Sequence, residues 1–460
     1  MIVLDTTIVN VALPAIRSDL GFTEVSLVWV VNAYMLTFGG FLLLGGRLGD
    51  IHGHRKLFLL GITFFTVASL ACGLANSQGL LIAARALQGL GGAVVSAVSL
   101  SLIMNMFTEP AERAKAMGVY GFVCAAGGSV GLLLGGVLTS ALNWHWIFLV
   151  NIPIGAIVYA LCVALLPASR AEGTHQKLDV AGAITVTASL MLAVYAVVNG
   201  NEMGWGSAQT LGLLAASVVL LVSFVIIEAR VSTPLMPLAL FKLRNLTTAN
   251  IIGILWAAAM FAWFFITTLY LQAVLGFTPF QIGLAFLPAN LIMAAFSLGL
   301  SAKLVMRFGI RRPLAIGLFL GAAGLAVLAR APVHADVMVD VLPSMILLGL
   351  AAGIAFNPLL LAAMNDVKPT DSGLASGVVN TAFMMGGSLG LAVLASLAAG
   401  RTQSLLSGGV PAVEALNGGY HTAFVVGAIF AAISAVMGGA LIRVKMGVPA
   451  QQGAPEVAMH

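Results

Sequence analysis

Asp5 stands inside an apolar run that continues to Ile16, eleven residues further on. At 1.5 Å per residue that is roughly 16 Å below the far end of the run, near the middle of a bilayer. An ionised group at such depth is costly and functional by default. A carboxyl group out of water is disfavoured in its charged form, so it can take up and release a proton. Arg85 opens the run RALQGLGGA, about one and a half turns into another apolar block. A cation there either snorkels back to the interface or faces a polar cavity, where it biases the protonation of Asp5 or orients a substrate. Asp5 is therefore the expected proton-coupling residue, against a carboxylate tied permanently to Asn10 or to backbone, while Arg85 keeps both readings.

A second constellation lies in GRLGDIHGHRK, from Gly46 to Lys56. The bland reading is a basic hairpin with turn glycines. Two features exceed it: a single acid, Asp50, at a helix end, and glycines that let another backbone approach. Such a carboxylate can pair with an Arg or cap a helix N-terminus, making a contact that opens when two bundles separate. Gly46, Asp50, Gly53 and Arg55 form this expected conformational gate, with Arg113 as the likeliest cationic partner of Asp50.

The elements that must position these residues follow from composition. Of 460 residues 60% are hydrophobic and 8% charged, and mean hydropathy is +1.06. A soluble domain is about a quarter charged, so lipid must be the main solvent. Apolar blocks divide the chain into fourteen expected spans of about 20 residues each. With the N-terminus inside, 17 of the 21 Lys and Arg residues fall in inward segments and 3 in outward ones, which favours cytoplasmic termini. GRLGDIHGHRKLF from Gly46 recurs as AKLVMRFGIRRPL from Ala302, and GGSVGL from Gly127 as GGSLGL from Gly386. These offsets map spans 1 to 6 onto spans 9 to 14. The expected plan is an all-α integral membrane protein of two six-helix bundles, 1–167 and 246–442, around a linker, 168–245, with two inserted spans, and a cytoplasmic tail, 443–460.

Several chemistries are excluded or disfavoured. Cys72, Cys124 and Cys162 lie in apolar blocks without metal-ligand spacing, so neither a disulfide framework nor a zinc site is indicated. No Gly-Lys dipeptide occurs, which removes a Walker A loop and an ATP-driven motor. The seven histidines sit in loops, at span ends or on the tail, not converging as a membrane enzyme would require. The basic balance belongs to inward loops rather than to nucleic acid. No cofactor is expected.

Five motifs carry a family resemblance. The loop from Gly46 resembles that between helices 2 and 3 of the major facilitator superfamily, with Ile51 and His54 replacing two of its cations. LDTTIVNVALP, from Leu4 to Pro14, resembles the helix 1 signature of the fourteen-helix drug:proton antiporters of that superfamily. Arg85, Gln88 and Gly89 match its R-x-x-Q-G pattern in helix 4, which implies that Arg85 faces the cavity and takes part with Asp5 in proton coupling. Span 5 places Gly127, Gly131, Gly135 and Gly136 where that branch carries G-x-x-x-G-P-x-x-G-G, with Leu132 at the proline site; the glycines also permit tight helix packing. WHWIFLVNIPIG, from Trp144, resembles the same branch.

The resemblance implies a major facilitator fold and a proton-coupled exporter of lipophilic drugs or toxic compounds, in the inner membrane and functional as a monomer. A dedicated exporter of one metabolite or antibiotic, or a proton symporter, is the second reading. A membrane enzyme or sensor is a distant third. Aromatic and amide residues in the spans suit flat lipophilic substrates, including cations, because amides in hydrocarbon need partners or water. The expected cavity residues are Asn32, Tyr34, Gln88, Trp263, Tyr270, Gln272, Asn290, Asn357, Asn380 and Met384. Met1 to Ile16 makes only about 24 Å of helix against a ~30 Å core, so the natural start is expected upstream.

Overall fold

Long apolar runs leave the backbone no partner but itself, and in hydrocarbon that selects the α-helix. The computed structural model describes residues 1–106, 110–166, 179–367 and 372–443. Its helices are α1 (Ile2–Leu20), α2 (Glu24–His52), α3 (His54–Gly73), α4 (Gln78–Met106), α5 (Pro110–Ala141), α6 (Trp146–Leu149), α7 (Asn151–Leu165), α8 (Val180–Met203) and α9 (Ala208–Arg230). After these come α10 (Arg244–Ala273), α11 (Pro279–Ala295), α12 (Ser301–Phe308), α13 (Arg311–Leu328), α14 (Leu342–Met364), α15 (Ser372–Ser407) and α16 (Ala412–Ala440). Among the described residues, eleven helices are long and apolar enough to cross a membrane. With Asp5, Arg17 and Asp19 in its nineteen residues, α1 is not one of them.

Local sequence sets the boundaries. Thr23 caps α2 by accepting from the Ser26 amide, and Thr278 caps α11 by accepting from the Gln281 amide, each within a reciprocal capping box. Gly53 ends α2 and starts α3 at φ 90°, a left-handed conformation that penalises any Cβ. It is the turn on which the gate motif is built.

Packing joins helices far apart in sequence. α1 lies along α5, α2 along α4 and α15, α3 along α4 and α7, and α5 along α11. α10 packs on α15 and α16, and α13 on α14 and α16. α8 pairs with α9 and also touches α2 and α15. The α1–α5 approach depends on missing side chains. A Cβ at Gly135 would stand 2.7 Å from the Ile8 carbonyl, and one at Gly131 2.8 Å from that of Leu4. Gly136 serves a different neighbour, since its Cβ would meet Pro279 and Phe280 of α11. Gly127, at 3.5 Å from Val3, is only in ordinary contact.

Candidate functional site: a buried carboxylate cluster

Asp5, on the first turns of α1, is fully buried, and α4, α3 and α7 converge on it. Arg85 Nη1 of α4 donates to Asp5 Oδ2 at 2.7 Å. Gln88 Nε2, one turn along α4, donates to Asp5 Oδ1 at 2.8 Å, and Asn151 Nδ2 of α7 donates to the same oxygen at 2.8 Å. Both amides also donate to Ser69 Oγ of α3, whose hydroxyl donates to the Phe148 carbonyl. Arg85 is held from the other side: Nε donates to the Val30 carbonyl at 3.0 Å, Nη1 to Gln88 Oε1, and the guanidinium lies 4.4 Å from the Tyr34 ring centroid.

The arrangement has a definite chemistry. Charges of opposite sign sit 2.7 Å apart with 0% and 2% exposure, and every acceptor position named on Asp5 is filled by a donor. A buried pair with its remaining valences satisfied can exist, yet removal of either charge strands the other.

The sequence reading anticipated Asp5 and Arg85, and the structure brings them together; Asn10 instead donates to Thr6 of its own helix. Gln88, expected on a substrate cavity, serves the carboxylate cluster. Tyr34, also expected there, lies in the bundle interior beside Arg85. Ser69 and Asn151 were not singled out. The rule that amides in hydrocarbon need partners applied to Asn151, which its place near a span end concealed.

The other expected cavity residues disperse. Asn32 Nδ2 donates to the Ser388 carbonyl, and its Oδ1 accepts from the Ser388 hydroxyl, which fastens α2 to α15. Trp263 is sealed against Phe264 and Phe286, and the Tyr270 hydroxyl donates to the Pro332 carbonyl. Asn290 is buried and Asn380 exposed, each donating to a carbonyl of its own helix, and Asn357 is half-buried. Gln272 lines a cavity of about 400 Å³ with Pro14, Arg17 and Leu269. Met384 packs with Phe261 against Tyr34, Met35 and Phe38 of α2. Phe383 makes edge contacts with Phe261 and with half-exposed Phe356, each at 5.9 Å between ring centroids. This patch of aromatic and methionine side chains, drawn from α2, α10, α14 and α15, was not assembled from sequence.

In the gate motif, Arg55 Nη2 donates to the Val163 carbonyl of α7 at 2.7 Å, and Gly46 lies 3.9 Å, at its Cβ position, from Ala97 of α4. The side chains of Asp50 and Arg113 lie outside the described residues. A contact not expected from sequence closes the opposite end. Arg17 Nη1 at 2.8 Å and the Tyr420 hydroxyl at 2.9 Å both donate to Glu24 Oε1, joining α1 and α2 to α16.

An all-helical fold of membrane-crossing helices around a buried charged cluster defines a membrane transporter. The sequence matches the model of the Major Facilitator Superfamily over residues 1–391, and the chain belongs to that family. It is 39% identical over 450 residues to the puromycin resistance protein pur8 of Streptomyces alboniger, spanning 96% of this chain and 89% of that one. To the cephamycin export protein CmcT of Amycolatopsis lactamdurans it is 39% identical over 440 residues, spanning 95% and 89%. The multidrug resistance protein Stp of Mycobacterium tuberculosis is 36% identical over 401 residues, spanning 87% of this chain and 74% of that protein. An auto-inhibited POT family peptide transporter shares the fold at a TM-score of 0.66 and 16% identity, covering 98% of each chain.

Proposed function

We propose that this protein is a proton-coupled exporter of lipophilic compounds, working by alternating access. The observation that carries the reading is Asp5, buried and held by Arg85, Gln88 and Asn151. The names of the relatives, resistance and export proteins for antibiotics, support the direction and the class of cargo.

Protonation of Asp5 neutralises the carboxylate and leaves Arg85 with the Val30 carbonyl, Gln88 and the Tyr34 face. That loosens α1 from α4. Because α1 also touches α10 and α11, the proton state of one side chain alters how α1 sits between the two bundles. Cargo is carried by the patch around Phe261, Phe356, Phe383 and Met384, whose aromatic faces and adaptable thioethers accept flat apolar molecules and lipophilic cations.

The chain is read as fourteen spans in a 6+2+6 plan, with α8 and α9 as the inserted pair and both termini cytoplasmic, in the inner membrane and as a monomer. In this orientation the Arg17–Glu24–Tyr420 contact closes the outer side, and the Gly46–Arg55 loop with Arg113 forms the inner gate, Asp50 stabilising one conformer through its partner. A dedicated exporter of a single antibiotic is the second reading, favoured by the names of the puromycin and cephamycin relatives.

Proteoliposomes with an imposed pH gradient test the proposal. Uphill movement of a lipophilic cationic dye should collapse with an uncoupler and be lost in Asp5→Asn. Uphill movement by Asp5→Asn driven by ΔpH would overturn the coupling assignment. A panel of compounds separates the two exporter readings, since a dedicated exporter moves one chemical type alone.

A further inference from the structure

Asp179 and Glu228 are a pair of buried acids, at opposite ends of the α8–α9 sequence but side by side in space. They are 4% and 3% exposed. Each is half satisfied: Asp179 Oδ1 caps α8 by accepting from the Gly182 amide at 2.7 Å, and Glu228 Oε2 accepts from the Met236 amide at 3.0 Å. The remaining oxygens, Asp179 Oδ2 and Glu228 Oε1, are buried without a hydrogen-bond partner. They lie 2.5 Å and 2.9 Å from the position that a Gly182 Cβ would take, so the width of one methyl group holds both.

The described surroundings of the two acids are apolar. Among the described residues, no cation forms an ion pair with either acid. The described neighbours from α2 are Phe41, Leu43, Leu44 and Leu48, grouped with Ala183 and Leu235; α15 contributes Met385, beside Val186, Phe224 and Met236. Arg230 on α9 is exposed. The side chains of Arg47 and Asp50 on α2, and all of Lys177, lie outside the described residues. Two carboxylates in one apolar site resist joint ionisation, and an unsatisfied buried oxygen resists desolvation. A single proton placed between the two free oxygens removes both conflicts, because the protonated acid donates to the ionised one.

We propose that Asp179 and Glu228 form a one-proton site, separate from Asp5, that docks the α8–α9 hairpin on α2. Loss of that proton to water places two like charges against Gly182 at the contact made by Ala183 and Leu235 with Leu44, and loosens the hairpin there. The site stands independently of the exporter reading.

The test uses the full chain in lipid nanodiscs. In infrared spectra taken from acidic to alkaline pH, wild type should keep a protonated-carboxyl C=O band through neutrality that is missing from Glu228→Gln and from Asp179→Asn. Glu228→Gln retains the Met236 contact and donates its amide to Asp179; Asp179→Asn retains the helix cap. The thermal midpoint of wild type should fall as alkali removes the shared proton, while those of the two variants stay level across the same range. If either variant fails to fold, the other gives both readouts. Identical carboxyl bands in wild type and variant, or the same alkaline fall in midpoint, would overturn the one-proton site.

Discussion

Asp5→Asn preserves shape and, judged from sequence alone, should leave abundance unchanged while abolishing coupling. The cluster around Asp5 changes that expectation. Gln88 and Asn151 both donate to Oδ1 and Arg85 donates to Oδ2, so whichever way an asparagine amide turns, its NH2 group faces a donor. Arg85 is left as a buried cation without a counter-charge. Breaking a buried pair by removing one partner costs about 3–5 kcal/mol, a large share of any protein's stability. The variant should therefore unfold more readily in detergent and reach the membrane in reduced amount.

The companion variant Asp5→Asn/Arg85→Gln removes the stranded charge. If the pair is the source of the loss, stability should recover, with a coupling energy of about 2–3 kcal/mol between the two positions. Equilibrium unfolding of wild type, both single variants and the double variant measures it. Substrate counterflow, which needs no net proton movement, should return in the double variant, whereas ΔpH-driven uptake stays absent. Single-variant effects that add to within about 0.5 kcal/mol would refute the reasoning, since the two residues would then act without each other.

Three further outcomes are expected. Gly131→Ala drives a Cβ into the Thr7 hydroxyl and to 2.8 Å from the Leu4 carbonyl, an overpacking that costs about 1–3 kcal/mol; Gly127→Ala meets only ordinary contact and should raise helix stability by about 0.5–1 kcal/mol, so equal thermal midpoints would contradict the packing. Tyr420→Phe deletes one hydrogen bond to the Glu24 carboxylate, about 1.5–3 kcal/mol. This should shift the population toward opening at that end by about tenfold or more, read as spin-label distances between α2 and α16; unchanged distances would remove the contact as a latch. Asp50→Asn should slow turnover more than it weakens drug binding, because a gate contact biases conformers without touching cargo, and equal losses in both assays would count against it.

Legibility in the sequence followed the cost of burial. Asp5 and Arg85 announced themselves because isolated charges in apolar runs have few physical explanations, and each needed only its own neighbours in sequence to be noticed. Ser69 and Asn151 did not, since a serine or an amide near a span end carries little penalty until the fold shows what it touches. Asn32 obeyed the rule that a buried amide needs partners, but the partner was Ser388, 356 residues away, and nothing local separates an interface amide from a cavity one. Glu228 was hidden by its place at a span end, where a charge normally reaches water; the turn through Leu235 and Met236 covers it. Glu24 and Tyr420 had no mutual signal at all, because their contact exists only when α2 meets α16.

The proposed coupling of a proton to a gate rests on the positions along α1. Asp5 faces α4 and α7, while Leu4, Thr7 and Ile8 meet the glycine face of α5. Further along, Pro14 and Arg17 border α10 beside Leu269 and Gln272, and Arg17 reaches Glu24. The glycines let α1 and α5 touch with few side chains interlocked between them, so that interface offers less resistance to sliding than one built from branched residues. Asp5 bound to Arg85 pins the first turns of the helix, and the Arg17–Glu24–Tyr420 contact pins its last turn. In the proposed mechanism a proton on Asp5 releases the first pin, and a rigid helix transmits the change to the second, some twelve residues or about 18 Å away. Coupling of this kind requires no chain of side chains between the sites, only that α1 move as one body against a smooth face.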